Sequence, residues 1–191
     1  MTTIYFVRHA QSDYRGGSDR ERGLTAEAME DRKIVLDFLR DKPVDAFWCS
    51  PYRRSLDTIR EAAEHFGMTI HTDERLRERE AAPGGNVREL FRKRWADFGW
   101  HEPGGESLRS VQERNIAALT DILTAERDKT VVVGTHGTAL STILNYYDPS
   151  YNCDSFLRII DWMPFVVELD FEGTRFLGKT EHVYVEKLFK P

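Results

Sequence analysis

The sequence has few cysteines and no long hydrophobic run. Two cysteines, Cys49 and Cys153, occur among 191 residues, so a chain of this size does not depend on a disulfide framework. No apolar stretch approaches the ~20 residues that a membrane-spanning helix needs. Residues 1–12 lack the cationic leader and the apolar segment of a secretory signal. We therefore expect a cytoplasmic protein that has no membrane partner.

An excess of positive charge and a metal-binding motif are also absent from the sequence. The formal net charge is −5, which gives no electrostatic basis for binding DNA or RNA. The chain contains no CxxC or HExxH motif and no clustered spacing of His and Cys. We therefore expect no nucleic-acid partner, no metal and no other cofactor, and the oligomeric state stays open.

Apolar segments and turn residues alternate along the chain in the order typical of an α/β protein. We predict helices at 25–39, 50–66, 87–98, 107–126 and 137–147, and strands at 4–7, 46–49, 68–71, 130–133, 156–160, 165–171 and 175–185. Ser50 and Pro51 are expected to begin the second helix, as its N-cap and first residue. No repeat or linker divides the chain, so we expect residues 1–191 to form a single domain. This order predicts a three-layer α/β/α sandwich with a mixed, mostly parallel central sheet.

Two histidines follow predicted strands at the points where those strands end. His9 comes after strand 4–7 and is preceded by Arg8, and His136 comes after strand 130–133. Because chemistry in an open α/β sheet collects at the carboxyl ends of the strands, we expect the two imidazoles to meet in space. A histidine that lies beside an arginine and faces a second histidine is suited to binding and attacking a phosphoryl group.

Other residues at the same edge can supply the positive charge that phosphoryl transfer needs. Arg54 lies one turn inside the helix predicted at 50–66, and a guanidinium matches phosphate in a bidentate way that lysine cannot. The helix that begins at Gly137 directs its backbone N–H groups and its positive dipole end toward the same anion. Gly137 has no Cβ, which lets the backbone approach closely.

Six short motifs resemble those of the histidine phosphatase superfamily, the group with the phosphoglycerate-mutase-like fold. They are Arg8-His9-Ala10-Gln11-Ser12 (with Ala10 in place of the family's glycine), Gly23-Leu24-Thr25, a helix start at Ser50–Thr58 that selects Arg54 over Arg53, Leu76-Arg77-Glu78, Gly105-Glu106-Ser107 and His136-Gly137. Each motif alone is weak, but six in the family's order form a specific pattern. The resemblance covers nearly the whole chain.

The resemblance implies a metal-independent phosphatase that acts on a small phosphorylated metabolite. It implies that His9 is the nucleophile and forms a phosphohistidine intermediate. Arg8, Arg54 and His136 would hold the phosphoryl group. Glu78 would protonate the leaving oxygen and then help to deprotonate the attacking water, a contribution on the order of 10²–10⁴-fold in rate.

Three further positions around the expected site have more than one interpretation. Glu80 is an alternative acid, since the family's usual aromatic-glycine continuation is absent after Glu78. Arg15 stands where the family often has an asparagine, so one phosphate contact is either missing or supplied by a cation. Ser12 either binds the phosphate or caps a turn. The expected substrate ligands are Arg8, Ser12, Arg15, Arg54 and Gly137.

Other functions are possible for the same sequence. A phosphoglycerate mutase would share the site, but the chain lacks the mutase-like continuation after Leu76-Arg77-Glu78. A non-catalytic module that binds a phosphorylated ligand would not need the retained histidines and arginines. Residues 173–180 match the Walker A pattern of a P-loop, but a P-loop opens a helix, whereas 182–185 has the pattern of a strand.

The segment 87–95 is locally basic and has two interpretations. It is either a lid that attracts an acidic substrate or an amphipathic helix that keeps its cations in water. The second interpretation predicts that its apolar face is buried, and that face consists of Val87, Phe91, Trp95 and Phe98.

Overall fold

Strands from distant parts of the sequence form one sheet in this computed structural model, which describes residues 1–189. The strands within these residues are β1 (Thr2–Arg8), β2 (Ala46–Cys49), β3 (Ile70–Thr72), β4 (Thr130–Thr135), β5 (Trp162–Glu172) and β6 (Arg175–Glu186). Their order in the sheet is β3-β2-β4-β1-β5-β6. The pairs β3–β2, β2–β4 and β4–β1 are parallel, whereas β5 pairs antiparallel with both β1 and β6. The predicted mixed, mostly parallel sheet is confirmed.

Helices cover both faces of this sheet. Their bounds in the described part of the chain are α1 (Ala26–Asp31), α2 (Lys33–Leu39), α3 (Arg53–His65), α4 (Phe91–Ala96), α5 (Leu108–Ala125), α6 (Gly137–Tyr147) and α7 (Cys153–Arg158). Alternate strand residues point to opposite faces, so Phe6 and Val133 pack with residues of α5 and α6. Val7 and Val132 pack with residues of α2 and α3 on the other face. Burial on both faces explains the continuous apolar runs of the central strands, and the three-layer prediction is confirmed.

The helix predicted at 25–39 forms as two shorter helices, α1 and α2. Thr25 is the N-cap of α1, and its hydroxyl accepts the backbone N–H of Ala28 at 3.1 Å. Arg32 separates the two helices, and its Nη1 donates to the Asp57 carbonyl of α3 at 2.6 Å. The break therefore falls at a residue whose side chain is tied to the neighbouring helix.

The prediction that Ser50 caps a helix and Pro51 is its first residue is wrong. Helix α3 begins at Arg53, with Tyr52 at the N-cap position. The Ser50 hydroxyl instead accepts the backbone N–H of Tyr52 at 3.2 Å and hydrogen-bonds to the His136 ring at 2.7 Å. Ser50 thus shapes a turn at the end of β2, and this turn carries the chain into α3.

The strand predicted at 156–160 is also wrong, because this segment begins with the last three residues of helix α7. The side-chain oxygen of Asn152 accepts the backbone N–H groups of Asp154 and Ser155, and the Ser155 hydroxyl accepts the N–H of Asn152. This reciprocal capping box is a helix signal that outweighs a short apolar run, since such a run fits a buried helix as well as a strand. Phe156 and Ile159 are buried.

The helix predicted at 87–98 is shorter in the structure. The helix predicted at 87–98 shrinks to a 3₁₀ turn at Arg88–Leu90 followed by α4. Phe91 is buried as predicted, whereas Val87 is 43% exposed.

The turn at 172–175 joins β5 to β6, and its Gly173 adopts a φ of 61° that favours glycine. Residues 173–180 therefore lie in a β-hairpin and not in a P-loop.

The parallel strands place their carboxyl ends at one edge of the sheet. Arg8 of β1 pairs with Thr135 of β4, and Cys49 of β2 pairs with Gly134 of β4. The residues that follow these strands therefore emerge side by side. No helix within residues 1–189 is both long and apolar enough to cross a membrane.

Gly134 provides a test of how tightly this edge is packed. A Cβ at Gly134 would lie 3.0 Å from the Ser55 Oγ and closer still to the Cys49 Sγ. We expect Gly134→Ala to lower the free energy of unfolding by ~1–3 kcal/mol, as overpacking does in buried sites, measured by urea denaturation. Gly178→Ala is the matched control, because a Cβ at Gly178 in β6 meets no atom within 4 Å. Equal effects of the two substitutions would contradict this packing.

Candidate active site

The two histidines predicted to be catalytic lie side by side. His9 directly follows β1, and His136 directly follows β4. The centroids of their imidazole rings are 5.2 Å apart, and the ring planes meet at 61°. Both side chains are buried, with exposures of 6% and 0%. The structure therefore brings together the pair on which the sequence-based prediction depends.

The His9 imidazole is held as a neutral ring with a defined tautomer. Its Nδ1 lies 2.7 Å from the backbone carbonyl of Ala10. A carbonyl only accepts hydrogen bonds, so Nδ1 carries the proton and Nε2 carries the lone pair. The Arg54 Nε donates to this Nε2 at 3.3 Å. Burial, together with the charges of Arg54 and Arg8, lowers the pKa of His9 well below its ordinary value.

The His136 imidazole is anchored on one side. Its Nε2 lies 2.7 Å from the Ser50 hydroxyl, and its ring packs edge-on against Tyr52, with centroids 5.2 Å apart. The His136 Nδ1 is buried and has no hydrogen-bond partner among residues 1–189. Burial and the neighbouring Arg54 also lower the pKa of His136 well below its ordinary value. His136 thus has one unpartnered ring nitrogen, and it lies inside the protein, where it does not line the cavity described below.

The Arg8 guanidinium lies against the first residue of α6. Its Nη1 donates to the Ile159 carbonyl at 2.5 Å, while its Nε has no partner in the described part of the chain. A Cβ at Gly137 would lie 3.0 Å from the Arg8 Cζ. Gly137 therefore leaves room for the guanidinium at the positive end of α6, where a phosphoryl anion would meet both charges.

Arg54 occupies the first turn of α3 and points back over the strand ends. Its side chain is 3% exposed. Its Nη1 donates to the backbone carbonyl of Asp19 and forms an ion pair with the Asp19 carboxylate at 3.3 Å. Together with the hydrogen bond to His9, these contacts fix the guanidinium beside the predicted nucleophile.

The Glu78 carboxylate is bound to the N-terminus of α6. Its oxygens accept the backbone N–H groups of Thr138 at 3.0 Å and Ala139 at 2.9 Å, and also the N–H of Arg79 at 2.8 Å. The predicted acid therefore lies next to His136 and Gly137, which begin the same helix.

Arg114 of α5 fixes the backbone that carries Glu78. Its guanidinium donates to the carbonyls of Arg75, Arg77 and Glu78 at 2.6–2.9 Å. It also binds both carboxylate oxygens of Glu106, at 2.8 and 2.9 Å. The motif Gly105-Glu106-Ser107 is thus joined to the motif Leu76-Arg77-Glu78 through one side chain.

The structure does not bring every predicted ligand to the same place. Arg15 is 86% exposed and forms a bidentate pair with Asp13, two residues earlier, and it does not line the cavity described below. Ser12 is buried and bridges to Leu24, and its hydroxyl has no partner among the described residues. The role of Ser12 stays a prediction. Glu80 is exposed at the cavity rim, and its backbone N–H donates to Glu106.

A cavity of about 710 Å³ opens in front of His9, Arg8 and Arg54 and is lined by Glu78 and Gly137 as well, whereas His136 lies behind its wall. Sequence reasoning missed several side chains that line it, namely Tyr14, Asp19, Arg20, Arg22, Tyr52 and Arg77. Two sequence features could have indicated some of these side chains. Arg20 and Arg22 lie in the loop after β1, and Arg77 lies inside the motif Leu76-Arg77-Glu78. No group of three or more His, Cys, Asp or Glu within residues 1–189 is placed to hold a metal ion.

One residue of the basic segment 87–95, Arg94, belongs to a buried ion network, whereas Arg88, Arg92 and Lys93 are exposed. Arg94 is 2% exposed and donates to both oxygens of Glu102, at 3.1 and 2.7 Å. Arg79 binds the same carboxylate at 2.7 Å. The hydrogen bonds from Arg94 and Arg79 outweigh the effect of burial and lower the pKa of Glu102 to about 2. This ionised carboxylate ties α4 to the cavity wall.

The structure thus brings together two buried histidines, two buried guanidinium groups and a helix N-terminus, the groups that the sequence predicted for phosphoryl chemistry. Residues 4–160 match the histidine phosphatase superfamily (branch 1), and the chain belongs to this family. The predicted family, and with it an enzyme of phosphatase type, is confirmed.

The similar proteins include phosphatases and a mutase. The chain is 30% identical to phosphoserine phosphatase 1 of Hydrogenobacter thermophilus over 152 residues, which cover 71% of each protein. It is 26% identical to a probable phosphoglycerate mutase of an Enterobacter species over 168 residues, covering 76% of this chain and 74% of the relative. The structure of a mycobacterial glucosyl-3-phosphoglycerate phosphatase superposes with a TM-score of 0.76 at 18% identity, covering 95% of this chain and 97% of that one. This last likeness shows the fold.

The low pKa of His9 predicts how stability depends on pH. Below the unfolded value of about 6.5, the unfolded chain binds a proton at this residue that the folded protein does not. The free energy of unfolding therefore falls as pH falls. When the pH falls from about 6.5 to about 5.5, we expect the free energy of unfolding of the wild type to fall by roughly 1 kcal/mol more than that of His9→Gln. Urea denaturation at each pH measures both values. His65→Gln, at an exposed histidine, should follow the wild type, and parallel curves for all three would contradict the assignment.

Proposed function

We propose that this protein hydrolyses small phosphomonoesters without a metal ion, through a phosphohistidine formed on His9. The observation that carries the proposal is the neutral His9 ring, whose unprotonated Nε2 lies beside the Arg54 guanidinium. A neutral imidazole can act as a nucleophile, whereas its protonated form has no free lone pair. Arg8 and the N-terminus of α6 add positive charge for the phosphoryl oxygens.

The reaction has two steps. In the first, the lone pair of His9 Nε2 attacks phosphorus, the ester P–O bond breaks, and Glu78 donates a proton to the leaving alcohol oxygen. In the second, water attacks phosphorus, the P–N bond breaks, and Glu78 takes the proton from the water, which releases inorganic phosphate. Arg8, Arg54 and His136 Nδ1 stabilise the charge on the phosphoryl oxygens in both steps.

Phosphoglycerate mutase activity is the second candidate, because one relative is named a probable phosphoglycerate mutase. The two activities share the first step and differ in the acceptor of the phosphoryl group, which is water in a phosphatase and a substrate hydroxyl in a mutase. A coupled assay that follows interconversion of 2- and 3-phosphoglycerate, beside an assay for released phosphate, separates them. We expect release of phosphate to dominate.

His9→Ala tests the nucleophile. In buffer that contains a chelator, we expect the wild type to hydrolyse 4-nitrophenyl phosphate and to be inhibited by vanadate, which adopts the geometry of the transition state. We expect His9→Ala to lower kcat by roughly 10³-fold or more, as loss of a nucleophile does in other enzymes. His65→Ala, at an exposed histidine on α3, is the control. Full activity of His9→Ala would overturn the mechanism, and phosphate binding without any turnover would indicate a binding module.

The choice between Glu78 and Glu80 is tested through the leaving group. 4-Nitrophenolate departs without protonation, whereas an alkoxide does not. We therefore expect Glu78→Gln to lower kcat/KM for an alkyl phosphate by about 10²–10⁴-fold and to affect the aryl phosphate far less. Glu80→Gln should have a small effect on both substrates. The reverse pattern would assign the acid to Glu80.

A further inference from the structure

The segment that carries Glu78 has no regular structure to hold it in place. Residues 77–87 form neither a helix nor a strand. Backbone carbonyls in such a segment are not paired by a regular ladder, so they need a side chain or water as a partner. The carbonyls of Arg75, Arg77 and Glu78 all bond to one side chain, that of Arg114 on α5.

Arg114 uses every hydrogen-bond donor of its guanidinium. Its Nη1 donates to the carbonyls of Arg75 and Arg77, at 2.8 and 2.6 Å. Its Nη2 donates to the Glu78 carbonyl and to Glu106 Oε2, both at 2.9 Å, and its Nε donates to Glu106 Oε1 at 2.8 Å. A guanidinium has five N–H donors, and here each has an acceptor. The three donors of a lysine, which share one nitrogen, could not make this set of contacts.

Glu106 holds Arg114 and also binds the chain on the other side of Glu78. Its Oε2 accepts the backbone N–H of Glu80 at 3.0 Å, and its own backbone N–H donates to the Glu80 carbonyl at 2.9 Å. Burial alone would raise the pKa of Glu106, but the hydrogen bond from Arg114 lowers this pKa overall, so the carboxylate is ionised at neutral pH. The backbone is thus fixed both before and after the predicted acid.

Arg114 acts at a distance from the reacting groups. Its side chain is 12% exposed and does not line the cavity. What it controls is the place from which the Glu78 side chain starts, and the carboxylate reaches from there to the N–H groups of Thr138 and Ala139 on α6. A shift of the backbone would move the carboxylate relative to α6 and to the leaving oxygen. Misplacement of a reacting group by about 1 Å can cost on the order of 10²-fold in rate.

We propose that Arg114, held by Glu106, is a positioning residue that keeps Glu78 at the place where it can protonate the leaving oxygen. This proposal rests on the proposed function, in which Glu78 is the acid of the first step. Because kcat/KM does not include the later hydrolysis of the phosphohistidine, this ratio isolates that first step. Loss of Arg114 should therefore lower kcat/KM where the leaving group needs a proton and have little effect where it does not.

Arg114→Gln tests the proposal with two substrates. Glycerol 3-phosphate releases an alcohol oxygen that needs a proton, whereas 4-nitrophenolate departs without one. We expect kcat/KM to fall by about 10–100-fold for glycerol 3-phosphate and by less than ~3-fold for 4-nitrophenyl phosphate. A loss of folded protein affects both substrates equally and cancels in their ratio. Arg109→Gln is the matched control, since Arg109 is exposed on the same helix and does not line the cavity. It should keep the wild-type ratio.

A double variant separates positioning from a general loosening of the fold. In Glu78→Gln the acid is already absent, so the addition of Arg114→Gln should lower kcat/KM for glycerol 3-phosphate by less than ~3-fold more. Arg114→Lys keeps the charge but has fewer donors, so we expect the same selective loss to a smaller degree. This variant takes the place of Arg114→Gln in both comparisons if Arg114→Gln does not fold.

The results also separate this proposal from the proposed function. Equal losses for the two substrates, or no loss for either, would overturn the role of Arg114 and leave the phosphatase intact. A loss that multiplies with that of Glu78→Gln would do the same, because Arg114 would then act through another group. Absence of hydrolysis by the wild type would overturn both proposals.

Discussion

The hydrogen bond from His9 Nδ1 to the Ala10 carbonyl determines which ring nitrogen can react. Because the carbonyl cannot donate, the proton is confined to Nδ1 and the lone pair to Nε2. Burial and two neighbouring guanidinium groups then make protonation of the ring unfavourable. In the proposed mechanism, the same positive charges that disfavour an imidazolium would attract a phosphoryl group, so one arrangement would both keep the nucleophile unprotonated and bind its target.

The buried arginines divide into two kinds according to their partners. Arg79 and Arg94 share the Glu102 carboxylate and hold α4 against the cavity wall. Arg8 instead bonds to a backbone carbonyl and keeps an unpartnered Nε. Glu102 thus neutralises Arg79 and Arg94, which serve the fold, whereas Arg8 retains its charge for an anion; Arg54 lies between the two kinds, because it shares the Asp19 carboxylate with Arg22.

Much of the fold and the core of the site followed from the sequence. The apolar runs of β1 and β4 predicted buried parallel strands, and the histidines after them predicted a shared edge. Helix α7 was missed because its capping box depends on Asn152 and Ser155, whereas periodicity counts only apolar residues. Arg15 lies outside the cavity, because its guanidinium pairs with the nearby Asp13 carboxylate, and its role stays a prediction.

Sequence patterns predicted few of the residues that form the cavity wall. Arg22 and Arg77 have no spacing that distinguishes them from solvated arginines, and only the structure shows which carboxylates they contact. Arg114 lies far from Glu78 in the sequence. The packing of α5 brings its guanidinium to the backbone carbonyls of Arg75, Arg77 and Glu78. Such tertiary pairing is not encoded in any short window of sequence.

The contact between Arg54 and Asp19 means that, in the proposed mechanism, a phosphoryl group would meet a guanidinium that already has an anionic partner. The affinity for phosphate would then depend on how strongly Asp19 competes for Arg54. Asp19 belongs to the glycine-containing loop after β1. The geometry of that loop would therefore influence how tightly an incoming phosphate is bound.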